Sequence, residues 1–218
     1  MRVGLIASMG NDLTVVNAAR LSFGATSTEL NEKDIKLIEY LAKHKHTSPF
    51  RHVMFQLNVE APEFVARQWY KHVVGANFND SGWNEVSQRY TERHMFHFPD
   101  EFRKQSANNK QGSDPNEKLS KVAQETAQLV YLDACNGATY AYDKLLALGV
   151  AREMARMVLP LSVYTEFVWT ASLQAVVHFC KLRNHEGAQM EIQDYADAVE
   201  ELCRPLVPHS WESLWRHL

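Results

Sequence analysis

Apolar and polar positions change their period along this chain, and each change marks an element. Arg2 to Met9 opens with a short apolar run through Val3, Leu5 and Ile6, which reads as a strand. Asp12 is placed to cap a helix from Leu13 to Leu21 that turns Val15, Val16 and Ala19 inward. Asn31 begins a second helix, amphipathic through Ile35, Leu37, Ile38 and Leu41 and closed by His44-Lys45-His46, where cations suit a helix C-terminus. The cleanest strand follows Pro49: Val53, Phe55, Leu57 and Val59 alternate with His52, Met54, Gln56 and Asn58 at a strict period of two. It feeds into a helix expected from Pro62 to Val73, where Val65, Trp69 and Val73 recur at helical spacing and Arg67, Gln68 and Lys71 share another flank.

Asn77 to Gly82 then carries the Asn/Asp/Ser/Gly chemistry of a loop, and Met95, Phe96 and Phe98 suggest a further strand or turn. Phe102 to Ser113 reads as a polar, mobile loop. A long helix is expected from about Asn116 to Leu148, closed by Gly149, and a short one from Ala151 to Val158 sets Arg152 and Arg156 one turn apart. Leu161, Val163, Phe167, Val168 and Trp169 form an aromatic, branched strand. The helix from Ser172 to Leu182 ends in Arg183, where a guanidinium is commonly a dipole partner. Ala188 to Cys203 is strongly amphipathic, and Ser210 to Leu218 reads as a short capping helix.

With 218 residues, 45% hydrophobic and 22% charged, and with no Pro/Ser-rich linker, the sequence predicts one domain over residues 1–218. A net charge of -3 gives no footprint for non-specific nucleic-acid binding, so any anion site must be local. The opening MRVGLIASMGND holds too short an apolar run for a signal peptide or a membrane span, which predicts a cytoplasmic protein. Cys135, Cys180 and Cys203 are odd in number and widely spaced, so reduced, buried thiols are expected. His44, His46, His52, His94 and His97 lack the matched Cys or carboxylate spacing of a zinc site, and no metal is expected.

The local chemistry concentrates between Arg67 and Tyr90. Arg67, Lys71, His72 and Arg89, with the amide of Gln68, surround a Gly/Asn/Asp/Ser loop, and Glu85 stands near the end. Cations, hydroxyls and loop amides in one stretch suit an anionic small molecule, and a nucleotide is the first expectation, although a solvated helix and a surface turn share this composition.

Several segments together carry a more specific signal: Ala18-Ala19-Arg20-Leu21-Ser22, Ser48-Pro49-Phe50-Arg51-His52 and Ala61-Pro62-Glu63-Phe64-Val65-Ala66-Arg67-Gln68-Trp69. Asn84-Glu85-Val86-Ser87-Gln88-Arg89-Tyr90, Lys110-Gln111-Gly112-Ser113, Ala151-Arg152-Glu153-Met154-Ala155-Arg156, Leu159-Pro160-Leu161, Tyr164-Thr165-Glu166-Phe167 and Ala188-Gln189-Met190-Glu191-Ile192 follow in order. Over nearly its whole length the chain resembles the flavin-dependent thymidylate synthases. The resemblance implies an α+β fold of the ThyX type, with a central, mostly antiparallel sheet flanked by helices and one long helix. It further implies a homotetramer with active sites at subunit interfaces. Each holds FAD and dUMP, and NADPH and methylenetetrahydrofolate are co-substrates.

By position, the resemblance assigns Gln68, Lys71, Glu85, Ser87, Gln88, Arg89, Arg156 and Arg183 to dUMP, with Glu85, Ser87, Gln88 and Arg89 at its phosphate and sugar. Arg183 takes the catalytic place, polarising the uracil edge toward its ionised form. Ser48, Lys71, His72, Glu85 and His178 are assigned to FAD. In this family reduced flavin supplies the electrons and no cysteine nucleophile is required.

The chain departs from the family pattern on the flavin side. Lys71-His72-Val73 replaces Arg-His-Arg, Ser172-Leu173-Gln174 replaces Asn-Ala-Arg, and the loop after His72 is longer. Two other functions therefore stay open: alkylation or hydroxymethylation of a pyrimidine nucleotide without the final reduction, and nucleotide binding by an inactive regulator.

Overall fold

In the computed structural model, which describes residues 1–72, 82–87 and 95–218, the period-two segments become strands and the longer-period segments helices. In chain order come β1 (Arg2–Met9), α1 (Asp12–Arg20), α2 (Glu32–Lys43), β2 (Met54–Pro62) and α3 (Glu63–Trp69). Then follow β3 (Gly82–Glu85), β4 (Arg103–Gln105), β5 (Ser113–Lys118) and the long α4 (Lys121–Ala147). The chain closes through α5 (Arg152–Ala155), β6 (Tyr164–Ser172), α6 (Leu173–Arg183), α7 (Met190–Cys203) and α8 (Pro208–His217). Four strands form one sheet in the order β1-β2-β6-β3, and β4 pairs with β5 in a separate antiparallel hairpin. The expected α+β architecture, with its antiparallel sheet and long helix, is present.

The chain forms two compact units: Met1–Glu60 with Gln68–Asn84 and Phe167–Leu218, and Ala61–Arg67 with Glu85–Glu166. In the first, β1 and β2 run antiparallel, Arg2 opposite Glu60, and these two side chains pair at 3.3 Å. Ile6 is the extra residue of a bulge between the pairs Leu5–Leu57 and Ala7–Gln56. Alternation then decides the core: Phe55, Leu57 and Val59 of β2 and Phe167, Trp169 and Ala171 of β6 are buried. Trp69, fully buried, stacks on Phe179 at 4.2 Å and meets Phe167 and Trp169 edge-on. Gly82 opens β3 where Thr170 leaves no room, since a Cβ there would stand 2.8 Å from that of Thr170. In the second unit α4 buries Cys135 and Tyr142, Tyr131 donates to the His97 carbonyl at 2.6 Å, and Phe96 bridges to Val163.

Several expected boundaries are corrected. The cap of α1 is Asn11, which accepts from the Thr14 amide at 3.2 Å. Asp12 is instead buried and accepts from the His209 and Ser210 amides at the start of α8. Pro62 completes β2, because its fixed φ suits a strand end as well as a helix start. Helix α3 is shorter than Pro62 to Val73: the His72 amide donates to the Trp69 carbonyl at 2.9 Å and closes it there. Much of the polar stretch Phe102–Ser113 is hairpin, held by Arg103 Nε on Ser113 Oγ at 3.2 Å, by Gln105 on the Gly112 carbonyl at 2.9 Å, and by the Lys104–Glu117 ion pair. Because Ser113–Lys118 pairs as a strand, α4 starts at Lys121 with Ser120 as its cap, not at Asn116. Among the described residues, no helix is long and apolar enough to cross a membrane, and no three His, Cys, Asp or Glu side chains gather as for a metal ion.

Candidate active site

Arg183 ends α6, and its side chain does more than face a helix dipole. Its Nε donates to His72 Nε2 at 3.0 Å and its Nη2 to the Gln68 carbonyl at 3.1 Å. Both acceptors come from the end of α3 and the turn that closes it. The Gln68 amide points elsewhere, donating to Gln189 Oε1 at 2.9 Å, and Gln189 is the residue before α7. Thus the ends of α3 and α6 and the start of α7 converge on one guanidinium and one amide.

His72 is 8% exposed, and its edge lies against Phe179 at 5.1 Å. Burial first, then the charges of Arg183 and His178, push its pKa down to about 4, so the ring is neutral at ordinary pH. His178 stands 6.0 Å away, ring to ring; burial lowers its pKa too, and its buried Nδ1 has no hydrogen-bond partner among the described residues. Burial also lowers the pKa of Arg183, though a guanidinium remains a cation. One turn before His178, buried Gln174 accepts from Arg51 Nε at 2.8 Å. Arg51 belongs to the turn Ser48–His52, which packs against α6 and opens with exposed Ser48; Lys71 is exposed beside His72.

The second unit holds a carboxyl pair. Glu63 of α3 lies close enough to Glu85 of β3 to feel its charge, and Thr165 Oγ1 donates to Glu85 Oε1 at 2.7 Å. Burial, followed by the Glu85 charge, raises the Glu63 pKa, while Arg67 and Arg156 pull it the other way. The Val86 amide donates to the Glu166 carbonyl at 2.8 Å, fixing the backbone between Glu85 and Ser87.

Of the residues expected in the site, Arg183, His72 and Gln68 are in direct hydrogen-bond contact, with His178 beside them, and Ser48 and Lys71 belong to the same unit. Glu85, Ser87 and Arg156 lie in the second unit, and Gln88 and Arg89 lie outside the described residues. The sequence assigns no role to Glu63, Gln189 or the Arg51–Gln174 pair. Glu63 and Arg67, four apart on one helix, carried a faint signal, but nothing in the sequence brings Glu85 alongside.

An α+β protein that fixes a cation beside neutral imidazoles is of the class equipped to steady negative charge on a bound ligand. Residues 4–209 match the family model described as thymidylate synthase complementing protein. The chain is 43% identical over 217 residues to the flavin-dependent thymidylate synthase of Thermus thermophilus, covering 99% of this chain and 76% of that one. It is 41% identical to the enzyme of the same name from Thermosipho melanesiensis, covering 96% and 88%. Among solved structures it is similar to a UMP/dUMP methylase, PolB from Streptomyces cacaoi, bound with 5-Br dUMP: TM-score 0.81, 30% identity, 97% and 93% covered. The chain belongs to the flavin-dependent thymidylate synthase family.

Proposed function

We propose that this chain reductively methylates dUMP to dTMP, taking the carbon from methylenetetrahydrofolate and the electrons from NADPH through FAD. The observation that carries the reading is Arg183, held on Nε and Nη2 by two acceptors from one turn. A guanidinium anchored in this way costs little reorganisation when negative charge develops on a uracil beside it. Gln68, Lys71 and Arg156 are proposed to contact dUMP, with Glu85, Ser87, Gln88 and Arg89 at its phosphate and sugar.

Ser48, Lys71, His72, Glu85 and His178 are proposed to hold FAD. The residues present fit such a group: the buried Nδ1 of His178, without a partner among the described residues, and the neutral ring of His72 offer hydrogen-bonding atoms to a heteroaromatic ring, and Lys71 offers a cation to a phosphate. When bound and reduced, the flavin supplies the electrons. The cysteines support this economy. All three are buried, and burial pushes the Cys180 thiol well up and that of Cys203 up to about 12, which suits neither to act as a thiolate nucleophile. The reading also carries a cytoplasmic homotetramer, for which the exposed apolar residues of α4, Val122, Leu129, Val130 and Tyr140, are support.

The test is product mass after incubation with dUMP, methylenetetrahydrofolate, NADPH and FAD. dTMP is expected. A hydroxymethylated nucleotide would transfer the reading to alkylation without reduction, and no product from a protein that takes up no yellow cofactor would make it a nucleotide-binding regulator. Likeness to a UMP/dUMP methylase favours a second reading, in which UMP is also accepted, and UMP run beside dUMP decides it.

A further inference from the structure

Arg183 can steady charge only if its planar fork is held at a fixed angle, and the structure identifies what holds it. A guanidinium Nε carries one hydrogen and accepts nothing, so the 3.0 Å contact to His72 Nε2 requires a lone pair on that nitrogen. The imidazole must therefore be neutral, with its proton on Nδ1. An imidazolium would set a second N–H and a second positive charge against Arg183. The surroundings enforce the neutral form: the ring is 8% exposed, lies edge-on to Phe179, and faces two other basic groups, Arg183 and His178, both from α6. The ring is also fixed in place from behind. Its backbone amide is bonded to the carbonyl of Trp69, whose fully buried indole is stacked in the aromatic core. Gln68 O, from the same turn, takes Nη2, so two adjacent donors of the fork are gripped and Nη1 is left without a partner among the described residues.

We propose that His72 is a positioning residue for Arg183: a neutral Nδ1–H imidazole that sets the plane of the guanidinium for the uracil. This rests on the nucleotide reading given above and goes beyond a flavin-facing role for His72, because it assigns the Nε2 lone pair to a protein group.

Two measurements test it. The first, on the purified holoenzyme without substrate, is the ¹⁵N resonance pair of the His72 ring: Nε2 unprotonated and Nδ1 protonated at neutral pH is expected, and a protonated Nε2 overturns the proposal. The second is a double-mutant cycle on dTMP formation. His72→Phe keeps the ring shape and removes the acceptor, and it is expected to lower kcat about tenfold, with a smaller change in KM for dUMP. In an Arg183→Ala background the same change is expected to cost less than about twofold, because the group it positions is gone. His72→Gln, whose Oε1 can reach the Nε2 position, is expected to restore most of the rate. Losses that multiply in full across the cycle, or His72→Gln no better than His72→Phe, overturn the positioning role. If the wild-type protein makes no dTMP while the ¹⁵N pattern is as expected, the pairing is upheld and the functional reading is what fails.

Discussion

At the scale of single residues, the site depends on direction as much as on charge. Arg183→Lys keeps the cation but cannot donate to His72 Nε2 and the Gln68 carbonyl from two fixed, coplanar positions. Turnover of dUMP is expected to fall about tenfold in Arg183→Lys with an unchanged far-UV circular dichroism spectrum, and full activity there would remove orientation from the mechanism. Glu63 makes the complementary case for a proton. Burial and the neighbouring Glu85 raise its pKa above that of the unfolded chain, so the folded state binds the extra proton more tightly. Its contribution is favourable at low pH and is lost as pH rises through the folded value. Glu63→Gln keeps the size of the side chain and removes the titration. The variant is therefore expected to gain stability on the wild type with rising pH in urea denaturation, and to lose that advantage below the ordinary carboxyl range. A difference that is flat with pH would contradict the raised pKa of Glu63.

At the scale of elements, one capping residue does work far along the chain. Asp12 accepts from the amides of His209 at 3.0 Å and Ser210 at 2.8 Å, satisfying two otherwise unpaired donors in the first turn of α8. Asp12→Ala is expected to cost about 1 to 2 kcal/mol by urea denaturation, with the losses tied to α8, whereas a neutral result would mean water replaces the cap. The sequence made Asp12 legible as a cap but not of which helix, since a carboxylate beside a helix start looks the same whether it turns to its own chain segment or to one almost two hundred residues away. The same limit runs through the fold. Elements with a clean period, such as β2 with Phe55, Leu57 and Val59 buried, or α7 with Ile192, Tyr195, Ala196 and Val199 buried, were legible because burial alone selects their residues. The β4–β5 hairpin was not, because side-chain bonds from Arg103 and Gln105 hold it and no apolar alternation marks it. In the site, Arg183, Gln68 and His72 could be named from a family pattern. That the Gln68 backbone and the His72 lone pair are what meet Arg183 is a three-dimensional fact with no spacing signature.

At the scale of the whole molecule, the long helix argues for assembly. On α4 the buried residues Cys135 and Tyr142 are seven apart and share one face. Val122 and Leu129 are also seven apart, with Tyr140 three turns further on, and they fall on the opposite face, each more than 60% exposed. A 27-residue helix that exposes Val122, Leu129 and Tyr140 around Asp133 and Asn136 gains nothing from those three apolar side chains in an isolated chain. Another copy of the chain is the occupant that the tetramer reading supplies, and a self-complementary face is how identical subunits meet. Leu129→Glu places a carboxylate in the middle of that face without touching Cys135 or Tyr142. Sedimentation is expected to show a tetramer for the wild type and smaller species for Leu129→Glu, while the helical content stays constant because α4 keeps its inward packing. A variant that sediments like the wild type would move the subunit contact off α4.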